Sequence, residues 1–232
     1  MTAVSLRGVS FGWKGSPPFQ IEVPDWQIEE GETVLLLGGS GSGKSTLLNL
    51  VCGLHQPDRG EIHVDGKDIA ALRASHRDRF RADRFGVIFQ TFNLLPYATP
   101  LDNILLALRF SRQRRTRITG NPAAAALRLT ASLGLPEQLM RFAPAAHLSV
   151  GQQQRVAVAR ALIGTPALVV ADEPTSALDA ESQAGFLDLL FEQVRASGCT
   201  LLMVSHDQRL ADRFDRCQKL TDISNTSRAL GA

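Results

Sequence analysis

The sequence has little cysteine, no long apolar run and almost no net charge, and each shortage argues against a class of protein. The three cysteines (Cys52, Cys199 and Cys217) are far apart and form no CxxC pair, which favours a reducing compartment over a disulfide framework or a zinc site. The longest apolar runs, such as Val34–Leu37, fall well short of the ~20 residues that span a bilayer. The 25 Lys and Arg residues nearly balance the 23 Asp and Glu residues, so charge gives no reason to expect a nucleic-acid partner.

The remaining composition is typical of a folded chain. Hydrophobic residues make up 44% and charged residues 21% of the 232 positions, close to the globular average. The N-terminal segment contains charges and prolines but no apolar core of a secretory signal, and no internal repeat is present. We therefore expect one composite domain without a signal peptide or a membrane span.

The N-terminal part has the patterning of β-strands. Gln20–Val23 and Glu61–Val64 alternate polar and apolar residues, and the second runs into Asp65-Gly66, a strong two-residue hairpin signal. Val34–Leu37 is instead continuously apolar, as expected of a strand buried on both faces of a parallel sheet. A short apolar helix follows this strand, and we predict that Gly53 ends it.

The middle of the chain is predicted to be helical and is rich in arginine. Thr99-Pro100 and Asn121-Pro122 each provide a cap and a proline at the start of a helix. The basic stretch Arg109–Arg117 lies between these two helices. We interpret it either as a solvated helix end and loop, or as an interface for lipid headgroups or an acidic partner.

The last third of the chain alternates strands and helices. Ala167–Ala171 and Thr200–Val204 are predicted to be buried strands, and Glu181–Ser197 a helix closed by Gly198. This order implies a mainly parallel sheet with right-handed crossovers, into which the helical middle is inserted.

A glycine-rich segment follows Val34–Leu37 and fits the pattern G-x-x-x-x-G-K-[ST]. Its glycines let backbone N–H groups surround phosphate oxygens, Lys44 supplies a charge for the β and γ phosphates, and Ser45 offers a hydroxyl to Mg²⁺. A flexible Gly/Ser loop is the alternative, but it would require neither the lysine nor the position between strand and helix. The predicted ATP-binding residues of this segment are Gly38, Gly39, Ser40, Gly41, Ser42, Gly43, Lys44, Ser45 and Thr46.

Two adjacent carboxylates end the apolar strand Ala167–Ala171. We expect Asp172 to bind the hydrated Mg²⁺ and Glu173 to polarise the attacking water as a general base. Such a pair on its own would indicate only a charged strand end that faces solvent. In a chain that also carries a phosphate-binding loop, the metal and base roles are favoured.

Two further segments resemble the ATP-binding-cassette (ABC) ATPases. Leu148–Arg155 and Asp172–Asp179 carry the family's motifs in the family's order, and the resemblance covers roughly residues 4–220. It implies an α/β fold of the P-loop NTPase (RecA-like) class, with a mainly parallel sheet core, an N-terminal antiparallel β subdomain and an inserted α-helical subdomain. The implied division is an ATP-binding core with the β subdomain in 1–90 and 158–225, and a helical subdomain in 91–157.

The resemblance also implies roles for single residues. Trp13 would stack on adenine, with a core tryptophan as the alternative. Gln90 and His206 would contact the γ-phosphate, although a lone surface histidine is the usual interpretation elsewhere, and Asp179 would lie in a loop at a dimer interface. The implied catalytic residues are Lys44, Gln90, Glu173 and His206, and the implied Mg²⁺ ligands are Ser45, Gln90 and Asp172.

The signature segment consists of Leu148, Ser149, Val150, Gly151 and Gln152. Ser149 and Gln152 have capping-box spacing, which predicts a helix from this point to about Ile163. The resemblance implies that the N-terminal end of this helix faces the ATP of a second copy of the chain. Val150 stands where the family has glycine; a left-handed valine costs roughly 1–3 kcal/mol and a helical one little, and we predict a working but slower site.

Phe89–Pro96 and Leu101–Ile104 are similar to ATPases of macrolide- and lipoprotein-exporter systems. This resemblance implies an ATP-hydrolysing, energy-coupling subunit on the cytoplasmic side of a bacterial inner membrane, acting on lipoprotein, peptide or drug-like cargo. The implied cofactors are ATP and Mg²⁺, and the implied partners are an integral membrane permease and a second copy in an ATP-dependent head-to-tail dimer. One alternative is a cassette that drives an envelope or cell-division complex without moving cargo, and another is a nucleotide-dependent interaction module that has lost catalysis.

Overall fold

The computed structural model of the protein describes residues 1–13, 19–176 and 178–228. The strands in these ranges are β1 (Thr2–Trp13), β2 (Phe19–Glu29), β3 (Thr33–Leu37), β4 (Arg59–Val64), β5 (Lys67–Asp68), β6 (Phe85–Ile88), β7 (Leu168–Asp172), β8 (Thr200–Ser205), β9 (Arg216–Lys219) and β10 (Asn225–Arg228). The α-helices are α1 (Lys44–Val51), α2 (Ala74–Arg84), α3 (Pro100–Phe110), α4 (Arg112–Thr116), α5 (Pro122–Ser132), α6 (Glu137–Phe142), α7 (Val150–Leu162), α8 (Ala180–Ser197) and α9 (Leu220–Ile223). The described residues fall into two units, one made of residues 1–81 and those from 200 on, the other of residues 82–199.

The first unit contains an antiparallel sheet in the order β10-β2-β1-β4-β5. Alternate residues of β1 point to one face, so that Val4 and Leu6 are fully buried there. The predicted hairpin is confirmed: Val64 pairs with Lys67 across Asp65 (φ 49°) and Gly66 (φ 72°). Both turn residues are left-handed, as a two-residue type I′ turn requires.

The first unit also contains a parallel group of strands, in which β3 lies between β8 and β9. All five residues of β3 are buried, which confirms the expectation drawn from the apolar run Val34–Leu37. Helix α1 starts immediately after Gly43 and Gly53 (φ 65°) follows its end, as predicted. Strand β3 and helix α1 thus flank the glycine-rich segment and fix its two ends.

The second unit is built around the parallel pair β6 and β7 and the buried helix α7. Helix α7 packs so closely on β6 that a Cβ atom added at Gly86 would lie 2.3 Å from the carbonyl oxygen of Ala161. Only a glycine permits this approach without a backbone shift. In the described part of the chain, no helix combines the length and the apolar composition that crossing a bilayer requires.

The helix caps predicted in the second unit are confirmed. The Thr99 hydroxyl accepts a hydrogen bond from the backbone N–H of Asp102 at 3.1 Å, and Asn121 Oδ1 accepts one from Ala123 N at 2.8 Å. At the C-terminal end of α8, Gly198 (φ 65°) closes the helix in the left-handed conformation, as predicted. Short-range sequence signals therefore determine where these helices begin and end.

The interpretation of the basic stretch Arg109–Arg117 is wrong for one of its residues. Arg114 is 3% exposed, whereas the other four arginines of the stretch are exposed. The physical reason is that the Arg114 guanidinium reaches the carbonyl oxygens at the C-terminal end of α7, including that of Ile163. Arg114 is thus neither part of a solvated loop nor available to an external partner.

Candidate functional site

The glycine-rich segment of the first unit connects β3 to α1 and folds around the side chain of Lys44. The Lys44 ammonium is buried and donates to the carbonyl oxygens of Gly38 at 2.6 Å and Gly39 at 2.9 Å. The loop therefore holds a positive charge against its own backbone. A phosphate that binds in the loop can take over this ammonium, since phosphate oxygens are stronger acceptors for a cation than carbonyl oxygens.

Three positions of this loop favour glycine. Gly41 and Gly43 have φ angles of 71° and 110°, and a Cβ atom at Gly38 would lie 2.7 Å from Ser42 Oγ. The Ser42 hydroxyl is buried and has no hydrogen-bond partner among the described residues. A buried hydroxyl without a partner is costly unless a ligand satisfies it, so this feature fits a bound phosphate chain. Ser40, Ser45 and Thr46 belong to the same segment, the last two on the first turn of α1.

Trp13 lies beside this helix at the end of β1. Its indole Nε1 donates to the Thr46 hydroxyl at 3.3 Å, and its ring meets His55 edge-on with centroids 4.7 Å apart. The side chain is 44% exposed, so the alternative of a core tryptophan is wrong. An exposed aromatic ring next to a phosphate-binding loop is suited to stacking on a base.

His206 follows directly after β8 and is exposed. The residue before it, Ser205, accepts a hydrogen bond through its carbonyl oxygen from the backbone N–H of Gly38 at 3.2 Å. The first residue of the loop is therefore tied to the strand end that carries His206. The first unit thus contains Trp13, the glycine-rich loop and His206.

The acidic pair lies at the end of β7 in the second unit. Asp172 is the last strand residue, and Glu173 has the left-handed φ angle of 43°. For a residue with a side chain this conformation costs of order 1–3 kcal/mol, and such strain is concentrated at functional sites. Gln90 is brought to the same segment, because its amide Nε2 donates to the Ser176 hydroxyl at 3.2 Å.

The signature segment has the predicted capping box. The backbone N–H of Ser149 donates to Gln152 Oε1 at 2.9 Å, and the backbone N–H of Gln152 donates to Ser149 Oγ at 3.3 Å. Val150 is the first residue of α7 and has no left-handed φ, so the geometric reason to expect slower turnover is absent. Val150 is 51% exposed, whereas Leu148, two positions earlier, is buried.

A cavity of about 620 Å³ lies between the signature segment and the start of α8. Ser149, Val150 and Gly151 line one side and Asp179 the other. Asp179 caps α8, and hydrogen bonds from the backbone and then the hydroxyl of Ser182 hold the pKa of its carboxyl below the usual range. The two segments that the resemblance assigns to a dimer interface therefore share one open surface.

Sequence reasoning missed three polar side chains of the second unit that hold these segments in place: Gln154, Arg114 and Arg160. Arg160 donates to the carbonyl oxygens of Asn93, at 2.7 Å, and Phe92, and burial lowers the pKa of its guanidinium. A basic residue in the last turn of a helix is a signal for contact with the carbonyl groups of that same helix end, not with a segment 67 positions away. No local signal therefore distinguished Arg160, Arg114 or Gln154.

Comparison with known proteins gives consistent matches. A family described as "ABC transporter" matches residues 21–176. The chain is 44% identical over 221 residues to the lipoprotein-releasing system ATP-binding protein LolD of Anaeromyxobacter dehalogenans, a match that covers 94% of this chain and 90% of that protein. The macrolide export ATP-binding/permease protein MacB of Rhodopirellula baltica is 40% identical over 84% of this chain, which corresponds to only 28% of that longer protein.

The fold also matches that of a solved protein. A dimeric structure of the ATP-binding cassette MJ0796 in a post-hydrolysis state, bound to ADP and Pi, superposes with a TM-score of 0.83 at 34% identity. The match covers 99% of this chain and 100% of that one.

Proposed function

This chain belongs to the ABC transporter family as an ATP-binding cassette, and we propose that it is the energy-coupling subunit of a membrane transporter. ATP hydrolysis is the chemistry of the family. The observation that carries the proposal is the glycine-rich loop, which holds the Lys44 ammonium inside it. The loop also contains the buried Ser42 hydroxyl, which has no hydrogen-bond partner among the described residues. These features fit a bound triphosphate.

Each step of hydrolysis has a candidate residue in this chain. Binding of the triphosphate transfers the Lys44 ammonium from the carbonyls of Gly38 and Gly39 to phosphate oxygens. The Glu173 carboxylate accepts the proton of the water that attacks the γ-phosphorus, while the bond from that phosphorus to the bridging oxygen breaks. His206 donates a hydrogen bond to the γ-phosphate and stabilises the charge that develops there.

Mg²⁺ is part of the proposal, since the family's chemistry uses Mg-ATP. Ser45, Gln90 and Asp172 would hold it, and their hydroxyl, amide and carboxylate oxygens are the hard ligands that this cation prefers. When bound, the ion neutralises phosphate charge and orients the reacting groups.

Dimerisation completes the site in this proposal. The exposed N-terminal end of α7, with Ser149 and Gly151, presents backbone N–H groups and the positive end of a helix dipole, a suitable site for a phosphate of a second copy. A head-to-tail pair would place two such ends against two nucleotides. MJ0796, a relative of similar size, forms a dimer.

The transporter partner is an integral membrane permease, and the class is that of exporters and lipoprotein-releasing systems. The names of the LolD and MacB relatives support this class. The chain would then sit on the cytoplasmic side of the membrane and act on lipoprotein, peptide or drug-like cargo through the permease.

Two variants test the proposal. Lys44→Ala should abolish phosphate release, while Lys67→Ala, at an exposed lysine of β5, should leave it unchanged. Glu173→Gln should bind ATP without hydrolysing it and accumulate as a dimer, measured by light scattering after gel filtration. A Glu173→Gln protein that stays monomeric in saturating Mg-ATP would contradict the head-to-tail site. Co-purification from detergent-solubilised membranes tests the partner, and a chain that brings down no integral membrane protein would contradict the permease.

A further inference from the structure

We infer that Arg114 is a positioning residue for ATP hydrolysis: it fixes the C-terminal end of the signature helix α7 and, with Arg160, the backbone around Gln90. The inference rests on the proposed function, because it concerns how the signature segment and Gln90 are held for that reaction. Every contact it uses lies within the second unit.

Arg114 completes the hydrogen bonding of the helix end. A helix leaves its last four carbonyl groups without partners inside the helix. In α7 the carbonyls of Ala159 and Leu162 accept from the backbone N–H groups of Ile163 and Thr165 at 2.9 Å each. The remaining acceptors, the carbonyls of Arg160 and Ala161 together with that of Ile163, accept from the Arg114 guanidinium.

The guanidinium itself is firmly located. Its Nε donates to Ile163 O at 2.9 Å and its Nη2 to Ala161 O at 2.6 Å, with a longer contact of 3.4 Å to Arg160 O. A planar fork of five donors can serve several carbonyls at once, whereas an ammonium group cannot reach the same set. The positive charge also faces the negative end of the helix dipole.

The helix that carries Arg114 is fixed as well. The backbone N–H of Arg114 donates to Ser111 Oγ at 3.0 Å, and that hydroxyl donates to Asp83 Oδ1 at 2.5 Å. Burial lowers the pKa of Arg114 to about 10, so the guanidinium stays protonated at neutral pH. A Cβ atom at Gly164 would lie 2.6 Å from Arg114 O, which shows how closely the backbones approach.

The same arginine reaches the strand that leads to Gln90. Nη1 of Arg114 donates to the carbonyl oxygen of Phe85, the first residue of β6, at 3.1 Å. Beyond Gln90, Arg160 of α7 holds the carbonyls of Phe92 and Asn93, whose φ angles of 58° and 48° are left-handed. The segment that contains Gln90 is therefore held before Gln90 by Arg114, at Phe85, and after it by Arg160, at Phe92 and Asn93.

The geometry explains why catalysis should respond. Helix α7 spans 13 residues, or about 20 Å at the usual rise, with the signature segment at its far end. A tilt of a few degrees at Arg114 would displace Ser149 by about 1 Å, and a misplacement of that size can cost ~100-fold in rate. The contacts that Lys44 makes in the glycine-rich loop do not involve α7, so we expect ATP binding to change less than turnover.

The experiment compares Arg114→Gln and Arg114→Lys with Arg115→Gln, an exposed arginine of the same helix. Rates are normalised to the folded fraction and measured well below each Tm. We expect both Arg114 variants to lower kcat about tenfold, with KM for ATP and the affinity for a fluorescent ATP analogue within twofold of wild type. Arg115→Gln should behave like wild type.

A double-mutant cycle with Ser149→Ala separates positioning from general destabilisation. If Arg114 acts through α7, Arg114→Lys should lower kcat far less in the Ser149→Ala background than in wild type. Losses that multiply, or an unchanged kcat in Arg114→Lys, would overturn the inference. If Arg114→Gln does not fold, Arg114→Lys alone decides, and a wild-type chain without ATPase activity would contradict the proposed function instead.

Discussion

The side-chain amide of Gln154 donates a hydrogen bond to the carbonyl oxygen of Pro174 at 2.8 Å. Gln154 is on the second turn of α7 and is 2% exposed. Pro174 directly follows Asp172 and Glu173. The hydrogen bond therefore links the signature helix directly to the acidic segment within one unit.

Removing this amide should destabilise the protein and slow hydrolysis together. In Gln154→Leu the Pro174 carbonyl loses a buried donor, which costs about 1–3 kcal/mol. Urea unfolding measures this loss and phosphate release measures the rate. Gln138→Leu, at an exposed glutamine of α6, should change the free energy of unfolding by no more than about 0.5 kcal/mol. Equal effects at the two positions would show that the Gln154 contact is not formed in solution.

Loss of a helix cap should have different consequences at two equivalent positions. Ser149 caps α7 and Asn121 caps α5. Replacing either by alanine should cost about 1 kcal/mol of unfolding free energy, because the same kind of hydrogen bond is lost. Only Ser149→Ala should also weaken ATP-dependent dimerisation of the Glu173→Gln protein, by tenfold or more in analytical ultracentrifugation. Weaker dimerisation in Asn121→Ala would attribute the effect to stability alone.

Restoring glycine at position 150 should have little effect on turnover. Val150 begins α7 with a helical backbone, so glycine relieves no strain and instead costs up to about 1 kcal/mol in backbone entropy. We expect kcat of Val150→Gly within twofold of wild type and a small drop in Tm. A tenfold gain in kcat would mean that the exposed isopropyl group, rather than the backbone, obstructs the approach of the partner's nucleotide.

The cap of α8 should weaken in acid. Hydrogen bonds from Ser182 lower the pKa of Asp179, so the carboxylate stabilises the folded state above its unfolded pKa of about 3.9 and loses this effect as pH falls through the lower folded value. The stability difference between wild type and Asp179→Ala should be constant above pH 5 and shrink below pH 4. Ser182→Ala should raise the Asp179 pKa, which carbon-detected NMR titration can follow. A difference that grows in acid would contradict this sign.

Local patterns made much of the fold predictable from the sequence. The apolar run in β3, the Asp65-Gly66 turn and the Ser149–Gln152 capping box each depend on residues within a few positions of one another. Their physical causes, burial on both faces, left-handed φ angles and orphan N–H groups, act over one turn or one strand. The structure has all three where they were expected.

Contacts between distant residues could not be predicted in this way. Five arginines in residues 109–117 look alike in the sequence, and only the packing of α4 against the end of α7, with Arg114 and Ile163 separated by 49 positions, turns one of them inward. The pairing of Gln154 with Pro174 is hidden for the same reason. The roles of Trp13 in stacking on adenine, of Asp179 at a dimer interface and of Gln90 and His206 in catalysis remain predictions. The division into a core of 1–90 and 158–225 and a helical part of 91–157 also remains a prediction.

The left-handed backbone of Glu173 has a consequence for protein engineering. Glycine adopts this conformation without steric cost. Glu173→Gly should therefore relieve about 1–3 kcal/mol of strain, more than the entropy cost of up to about 1 kcal/mol that glycine brings, and make the fold more resistant to heat. The same change deletes the only carboxylate that we propose as the base. A directed-evolution screen that selected thermal tolerance alone would therefore enrich inactive chains at this position, and a useful library would keep Glu173 invariant.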